Sequence, residues 1–447
     1  MALFDHQRIP AHLLKLDSDG LRRGFYSDKY FDNVVRVLAG YTAAGSVFAG
    51  QNPRDLSVDP RGIPIGDIEV EAQIFNRRSP LALVAGVDVA LAMLRAATGY
   101  FVGDSFVETA HHLRVEAVED GVITRFSGDT EAVQPVLKIW GRYRDFALLE
   151  TPILGILTRA SRIATNVYNT LLAARGKPVL FFPARFDLPE VQSTDGYAYW
   201  LAVQRYNHDF GSKVAPLVST DAQALWWGGR GGGTVPHALI ACFMADTAEA
   251  MLAFAEHIPV DVPRVALVDF NNDTVRESLA VLQAYWPRYL AALQAGDDQA
   301  QRRWTLFGVR LDTSANMRDV SLPPAAGTGV NPALVRVVRA ALNQAWEGWD
   351  VPAEWLDAAK AYCQNVKIVV SGGFTAQKID RFERDNVPVD LYGVGSTLLR
   401  NAEDVNTDFT MDVVRVKLGD HWYDMPKLGR KPNDNPDLQP IDLSSLA

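Results

Sequence analysis

Short, continuous apolar runs alternate with helical text over the chain beyond residue 176. Residues 366–370 form one such run and break at Ser371-Gly372-Gly373. Polar helical text follows over 375–384, and a second run at 387–392 breaks at Gly393-Val394-Gly395-Ser396. Runs this short and apolar throughout predict parallel strands covered on both faces. Further runs at 179–182, 265–268 and 306–311, with a weaker one at 214–219, bring the number close to that of a barrel.

Before residue 176 the rhythm differs. Alternation at 63–74 predicts a half-buried strand, and 86–98 an apolar helix. Residues 115–126 predict a hairpin turning at Glu119-Asp120-Gly121, and 136–140 another strand ending at Gly141. That order predicts an α/β sandwich on a largely antiparallel sheet. A long helix is expected over 146–175, broken near Thr151-Pro152 and closed by Gly176. Ser27 is the expected N-cap of an earlier helix whose start is crowded by Phe25, Tyr26, Tyr30 and Phe31. The plain reading of that crowd is a hydrophobic staple against the core. Beyond 401, MDVVRVKL and HWYDMPK predict a hairpin across Gly419-Asp420. The expected division is a sandwich over 1–146, completed by returning strands at 405–430, a barrel over 147–404, and an extended tail at 431–447.

Composition narrows the partners. With 447 residues the chain can bury a large core, and its net charge of −9 argues against a broad nucleic-acid surface. No apolar stretch reaches membrane-spanning length, so a cytoplasmic protein is expected. The two cysteines, Cys242 and Cys363, have no metal-ligand neighbours. A reducing compartment is expected, with neither a metal site nor a disulfide framework.

Candidate chemistry gathers where the strands end. Glycine lets backbone N–H groups approach an anion, and two glycine loops on consecutive strands are what a phosphate site at a barrel rim requires. Arg185 follows the first run, Asp269 follows VALV, and Arg310 and Asp312 stand two apart in FGVRLDTS, which puts them on one face. In WWGGRGGGTVPHALIA, Thr234 reads as an N-cap, Pro236 suits the first turn, and a helix runs on through 254 with His237 at its start. No Gly-Lys-Ser/Thr follows, so this is not a P-loop.

The set GTVPHALI, ALVDFNND, FGVRLDTS, KIVVSGGF and DLYGVGST, with ETPILGILTRAS and SDKYF, resembles the nicotinate phosphoribosyltransferase family, especially its shorter archaeal-type branch. The resemblance spans roughly residues 25 to 416 and is densest after Gly233. It implies an N-terminal α/β sandwich joined to an irregular seven-stranded α/β barrel. It also implies synthesis of nicotinate mononucleotide from nicotinate and phosphoribosyl pyrophosphate, coupled to ATP and assisted by Mg2+. Ser371, Gly372, Gly373, Gly393, Gly395 and Ser396 would hold the 5-phosphate. Arg310 and Asp312 would face the ribose and base, with Asp269 or Asp312 steadying positive charge on the ribose. Thr234 falls in the same motif as His237, which would be phosphorylated by ATP. Arg185 would serve the nicotinate carboxylate, and Tyr30 would reach the base from a neighbouring subunit of a homodimer or larger assembly. One departure stands out: the second arginine of a strand-end pair is Phe186. Nicotinamide, whose neutral amide tolerates fewer arginines, and quinolinate, against whose dianion Phe186 counts, are the alternative substrates, and a non-catalytic phosphoribosyl-binding protein is the alternative class. An aldolase or isomerase barrel would want a reactive lysine or an acid/base pair at a strand end, and none stands out.

Overall fold

The computed structural model describes residues 3–51, 54 and 56–446. All six apolar runs after residue 176 become strands of one parallel sheet. Their order is Val265–Leu267, Gly308–Leu311, Lys367–Val370, Leu391–Val394, Val179–Phe181 and Leu217–Val218. Every pairing is parallel, so all six C-terminal ends meet at one rim. Both faces are covered, which is why the strands read as unbroken apolar text: Val309, Leu311, Ile368, Val370 and Tyr392 are all buried.

Seven strands were expected in the barrel, and six are paired among the described residues. Past Leu217–Val218 the chain is tied on by a backbone bond from Gly232 N–H to the Val218 carbonyl, 2.8 Å. Five glycines between 228 and 233 and a proline at 236 explain why no longer ladder forms there. The result is an open half-barrel with a glycine segment beside its last strand.

The other half of the fold is a six-stranded antiparallel sheet. Its order is His421–Asp424, Phe409–Leu418, Glu69–Asn76, Pro135–Arg142, Arg114–Ala117 and Gln439–Ile441. The helix Val87–Ala97 and the first turns of the helix Glu150–Ala174 cover one face, burying Leu91, Leu94, Ile153 and Leu157. That long helix then crosses into the second core with Ile163, Val167 and Leu171. It is unbroken, because Pro152 stands among the first residues, where a missing N–H leaves no helical bond unmade.

Three local expectations fail for identifiable reasons. The strand Glu69–Asn76 is buried on both faces, not half-buried. Its polar side is covered: Glu71 pairs with Lys138 at 2.9 Å and Arg415 at 2.8 Å, while Gln73 bonds Lys431 and Asn433 of the tail. The tail is accordingly not a free extended segment. Gln439–Ile441 pairs with Arg114–Ala117, Asn435 donates to the Pro135 carbonyl, and Leu443 enters the core. The hairpin at 115–126 does not form either. Ile123–Arg125 pairs with Leu81–Leu83 in a separate two-stranded ribbon, because Asp120 is diverted to cap Val87 N–H at 2.9 Å.

Near the N-terminus, the helix Lys29–Ala43 starts after Asp28 rather than at Ser27, which is buried. The aromatic crowd is not a core staple: Phe31 is buried, while Phe25 is 75% and Tyr30 60% exposed. Tyr30 donates to Asp28 (3.1 Å), whose backbone N–H bonds Thr151. Beside this group stands Glu150, whose carboxyl is pushed up from 4.5 to about 8 by burial, with Asp412 and Asp28 adding repulsion. The native state therefore holds a proton that the unfolded chain has lost, so this group lowers stability as pH rises from about 4.5 to about 8. Glu150→Gln should raise Tm by roughly 2 °C at about pH 9 and change it little near pH 4, as read by calorimetry.

Candidate active site

The strand ends enclose a cavity of about 530 Å³ at the rim of the parallel sheet. Its floor is made by the two glycine loops. After Lys367–Val370 the backbone turns at Gly372 (φ +86°) and Gly373 (φ +66°), conformations that side chains rarely adopt. A Cβ at Gly372 would also lie 3.2 Å from Asp312 Oδ1. Thr375 then accepts from Lys378 N–H at 3.1 Å and starts the helix Ala376–Arg384. In the second loop Gly395 has φ −110°, so glycine is needed there for space: a Cβ would come within 2.9 Å of Phe186 Cε2. Thr397 Oγ1 donates to the Phe374 carbonyl at 2.8 Å and ties the loops together.

Two arginines face the floor. Arg310 enters from Gly308–Leu311, with one Nη donating to the Val235 carbonyl at 3.3 Å and its guanidinium 5.8 Å from the Phe182 ring centre. Its buried Nε has no partner among the described residues. Burial pulls its pKa down, Asp312 and Asp269 oppose that, and Arg185 adds repulsion. Arg185 sits in the short turn Ala184–Phe186 with its guanidinium 5.3 Å from the Phe186 ring centre. An anion placed between these cations would relieve their repulsion.

The acidic side is ordered. Ser371 Oγ donates to Asp312 Oδ1 at 2.8 Å, and His237 Nε2 lies 3.0 Å from Asp269 Oδ1. Burial pushes the Asp269 carboxyl up, and His237 opposes the shift. His237 begins the helix His237–Cys242, for which Pro236, not Thr234, is the N-cap residue. The helix has only six residues, and the run expected to reach 254 breaks at Met244 and Ala245, both at positive φ, before Asp246 caps the next helix.

Most of the residues singled out in the sequence meet at this cavity. Arg185, Thr234, His237, Arg310 and Asp312 line it, as do Ser371, Gly372, Gly373, Gly393, Gly395 and Ser396. Asp269 stands behind His237 rather than on the wall, and Tyr30 lies outside the cavity of its own chain. Phe182, Ser219 and Thr397 also line it and were not anticipated. Phe182 had a legible signal, since it ends an apolar strand run immediately before Pro183.

An open parallel half-barrel whose rim carries paired glycine loops, two arginines and a His–Asp pair, attached to an antiparallel sandwich, matches the type II phosphoribosyltransferase architecture. Residues 55–161 match the family model for the quinolinate phosphoribosyl transferase N-terminal domain. Among solved structures, the nicotinate-nucleotide pyrophosphorylase from Pyrococcus furiosus is similar at TM-score 0.60 and 25% identity, over 95% of this chain and 89% of that one. Human nicotinic acid phosphoribosyltransferase shares the fold at TM-score 0.57 and 17% identity, over 88% of this chain and 75% of that one. The chain has the architecture of the type II phosphoribosyltransferases. Among the described residues no helix is long and apolar enough to cross a membrane, and no three His, Cys, Asp or Glu side chains are grouped to hold a metal ion.

Proposed function

We propose that the protein is a nicotinate phosphoribosyltransferase. It would join nicotinate to the ribose of phosphoribosyl pyrophosphate, giving nicotinate mononucleotide and pyrophosphate. The observation that carries this reading is the single cavity in which the tied glycine loops face Arg185 and Arg310. The pyridine nitrogen forms a bond to the anomeric carbon as the carbon–oxygen bond to pyrophosphate breaks. Positive charge develops on the ribose, and a carboxylate such as Asp312, which accepts from Ser371, would stabilise it. No general base is required, because the ring nitrogen has no proton to lose. The protein's work is to clamp two anionic ends, orient the ring and exclude water.

Mg2+ fits this site as a companion of the pyrophosphate. With Asp312 on the wall and Asp269 behind His237, the protein offers at most a pair of carboxylates, and such ions are commonly held by one or two carboxylates plus substrate phosphates. ATP coupling would act through His237. With Asp269 accepting from Nε2–H, the lone pair is left on Nδ1, the nitrogen able to take the γ-phosphoryl group as ADP departs. His237→Ala should abolish ATP stimulation of pyrophosphate release while keeping slow ATP-independent turnover. Full coupling in that variant would leave the histidine a purely structural part.

Phe186 favours one second reading. With a ring where another cation could stand, the pocket is less basic, which suits a neutral amide better than the dianion quinolinate. Pyrophosphate release assayed with nicotinate, nicotinamide and quinolinate, each with and without ATP, decides among them. Ligand binding without any release would make the protein a binding paralogue. Arg185→Ala should raise the KM for nicotinate by about one to two decades, the equivalent of one charge-assisted hydrogen bond. Equal losses with nicotinamide would remove the carboxylate role. The exposure of Tyr30 and its absence from its own cavity support a homodimer in which this ring closes the partner's site.

A further inference from the structure

The loop at 393–397 is held from behind by a buried polar relay that starts in the other sheet. Arg78 follows the end of the strand Glu69–Asn76 and is buried. Its Nη1 donates to Thr407 Oγ1 at 2.8 Å and its Nη2 to Asn166 Oδ1 at 2.9 Å. Asn166 lies in the middle of the long helix, also buried, and turns its amide the other way. Asn166 Nδ2 donates to two carbonyls, Leu398 and Arg400, both at 3.1 Å. Those carbonyls close the short turn Ser396–Leu399, whose opposite end, Gly395 to Thr397, is cavity wall. Carbonyls at the end of such a turn have no partner within it and must find one elsewhere. Here one side chain serves both, and its own orientation is set by a guanidinium that can only donate.

We propose that Asn166, oriented by Arg78, is a positioning residue that fixes the second glycine loop for the phosphate of the substrate. The proposal rests on the phosphoribosyl-transfer reading for its functional part, and on the hydrogen-bond geometry for its structural part. Neither residue touches the cavity, so their effect is transmitted through the carbonyls of Leu398 and Arg400. The relay also makes the sandwich sheet a determinant of the loop, because Arg78 is anchored there: its backbone N–H bonds Asn76 Oδ1 at 3.0 Å.

Asn166→Asp is the discriminating variant. Its carboxylate still accepts from Arg78, so the fold is kept, but it has no N–H to offer the two carbonyls. Two measurements on the full-length protein separate the outcomes. Hydrogen exchange should accelerate at 395–400, where Leu398 N–H bonds the Gly395 carbonyl, with Tm little changed. The KM for phosphoribosyl pyrophosphate should rise about tenfold, with kcat and the KM for the base much less affected. Asn166→Leu, which removes both contacts without adding charge, should move the same two readouts in the same direction. Unchanged exchange, with or without a KM effect, overturns the relay. Faster exchange with unchanged KM shows that the relay holds a loop that does not bind the substrate phosphate and overturns the functional part alone, whereas no turnover of phosphoribosyl pyrophosphate by the wild-type protein overturns the reading beneath it.

Discussion

Gly395→Val should weaken phosphoribosyl pyrophosphate binding by about one to two decades, the loss expected when one charged hydrogen bond cannot form. The first carbon of the new side chain would stand 2.9 Å from Phe186 Cε2, and its branches would fill the space proposed for the phosphate. Phe186 is 49% exposed, so its ring can swing away and the fold should survive with a small change in Tm. Calorimetric titration reads the affinity directly. Wild-type affinity in this variant would remove the second loop from the phosphate site.

Tyr30→Ala should be nearly inactive as a homodimer although it barely disturbs its own chain. Among the described residues Tyr30 bonds only Asp28 through its hydroxyl and packs on Phe31 at a ring-centre distance of 4.4 Å, so little stability depends on it. An aromatic ring stacked on a substrate ring contributes about 1 kcal/mol beyond its buried area, and its loss would also admit water to the reacting centre. Tyr30→Ala and Gly395→Val, mixed after dissociation and reassembly, should recover activity, since one site of the heterodimer inherits neither defect. Verified heterodimers without recovery would mean that Tyr30 works for its own chain or not at all.

The parallel sheet was the most legible part of the molecule. Strands buried on both faces leave an unbroken apolar signature, and all six runs became strands. The site was legible for a related reason: residues at strand ends converge whatever the loops do, so Arg185, Arg310, Asp312 and both glycine loops meet as the spacing suggested. What failed depended on distant partners. Asp120 is a turn residue by type, yet its carboxylate serves Val87, and that contact separates two strands that sequence alone joins. Glu71 and Gln73 fall on the face expected to meet solvent, because most of the residues that cover them, Arg415, Lys431 and Asn433, lie more than three hundred positions away. The aromatic crowd at 25–31 was misread in the opposite sense, since apolar residues suggest a core whether or not one lies within reach.

The interleaving of the two sheets has a consequence for how the molecule is made. The strand Glu69–Asn76 needs Phe409–Leu418 on one side, and Arg114–Ala117 needs Gln439–Ile441. Every strand of the half-barrel is synthesised between those early and late partners. On the ribosome the first sheet therefore waits with open edges until residues 409–441 have emerged, by which point the six described strands of the half-barrel are already made. Open edges of this kind invite pairing with other chains, and contacts so distant in sequence form slowly. The nascent chain is thus most vulnerable to aggregation before residues 409–441 emerge, and shielding of the first sheet by chaperones matters more than shielding of the half-barrel.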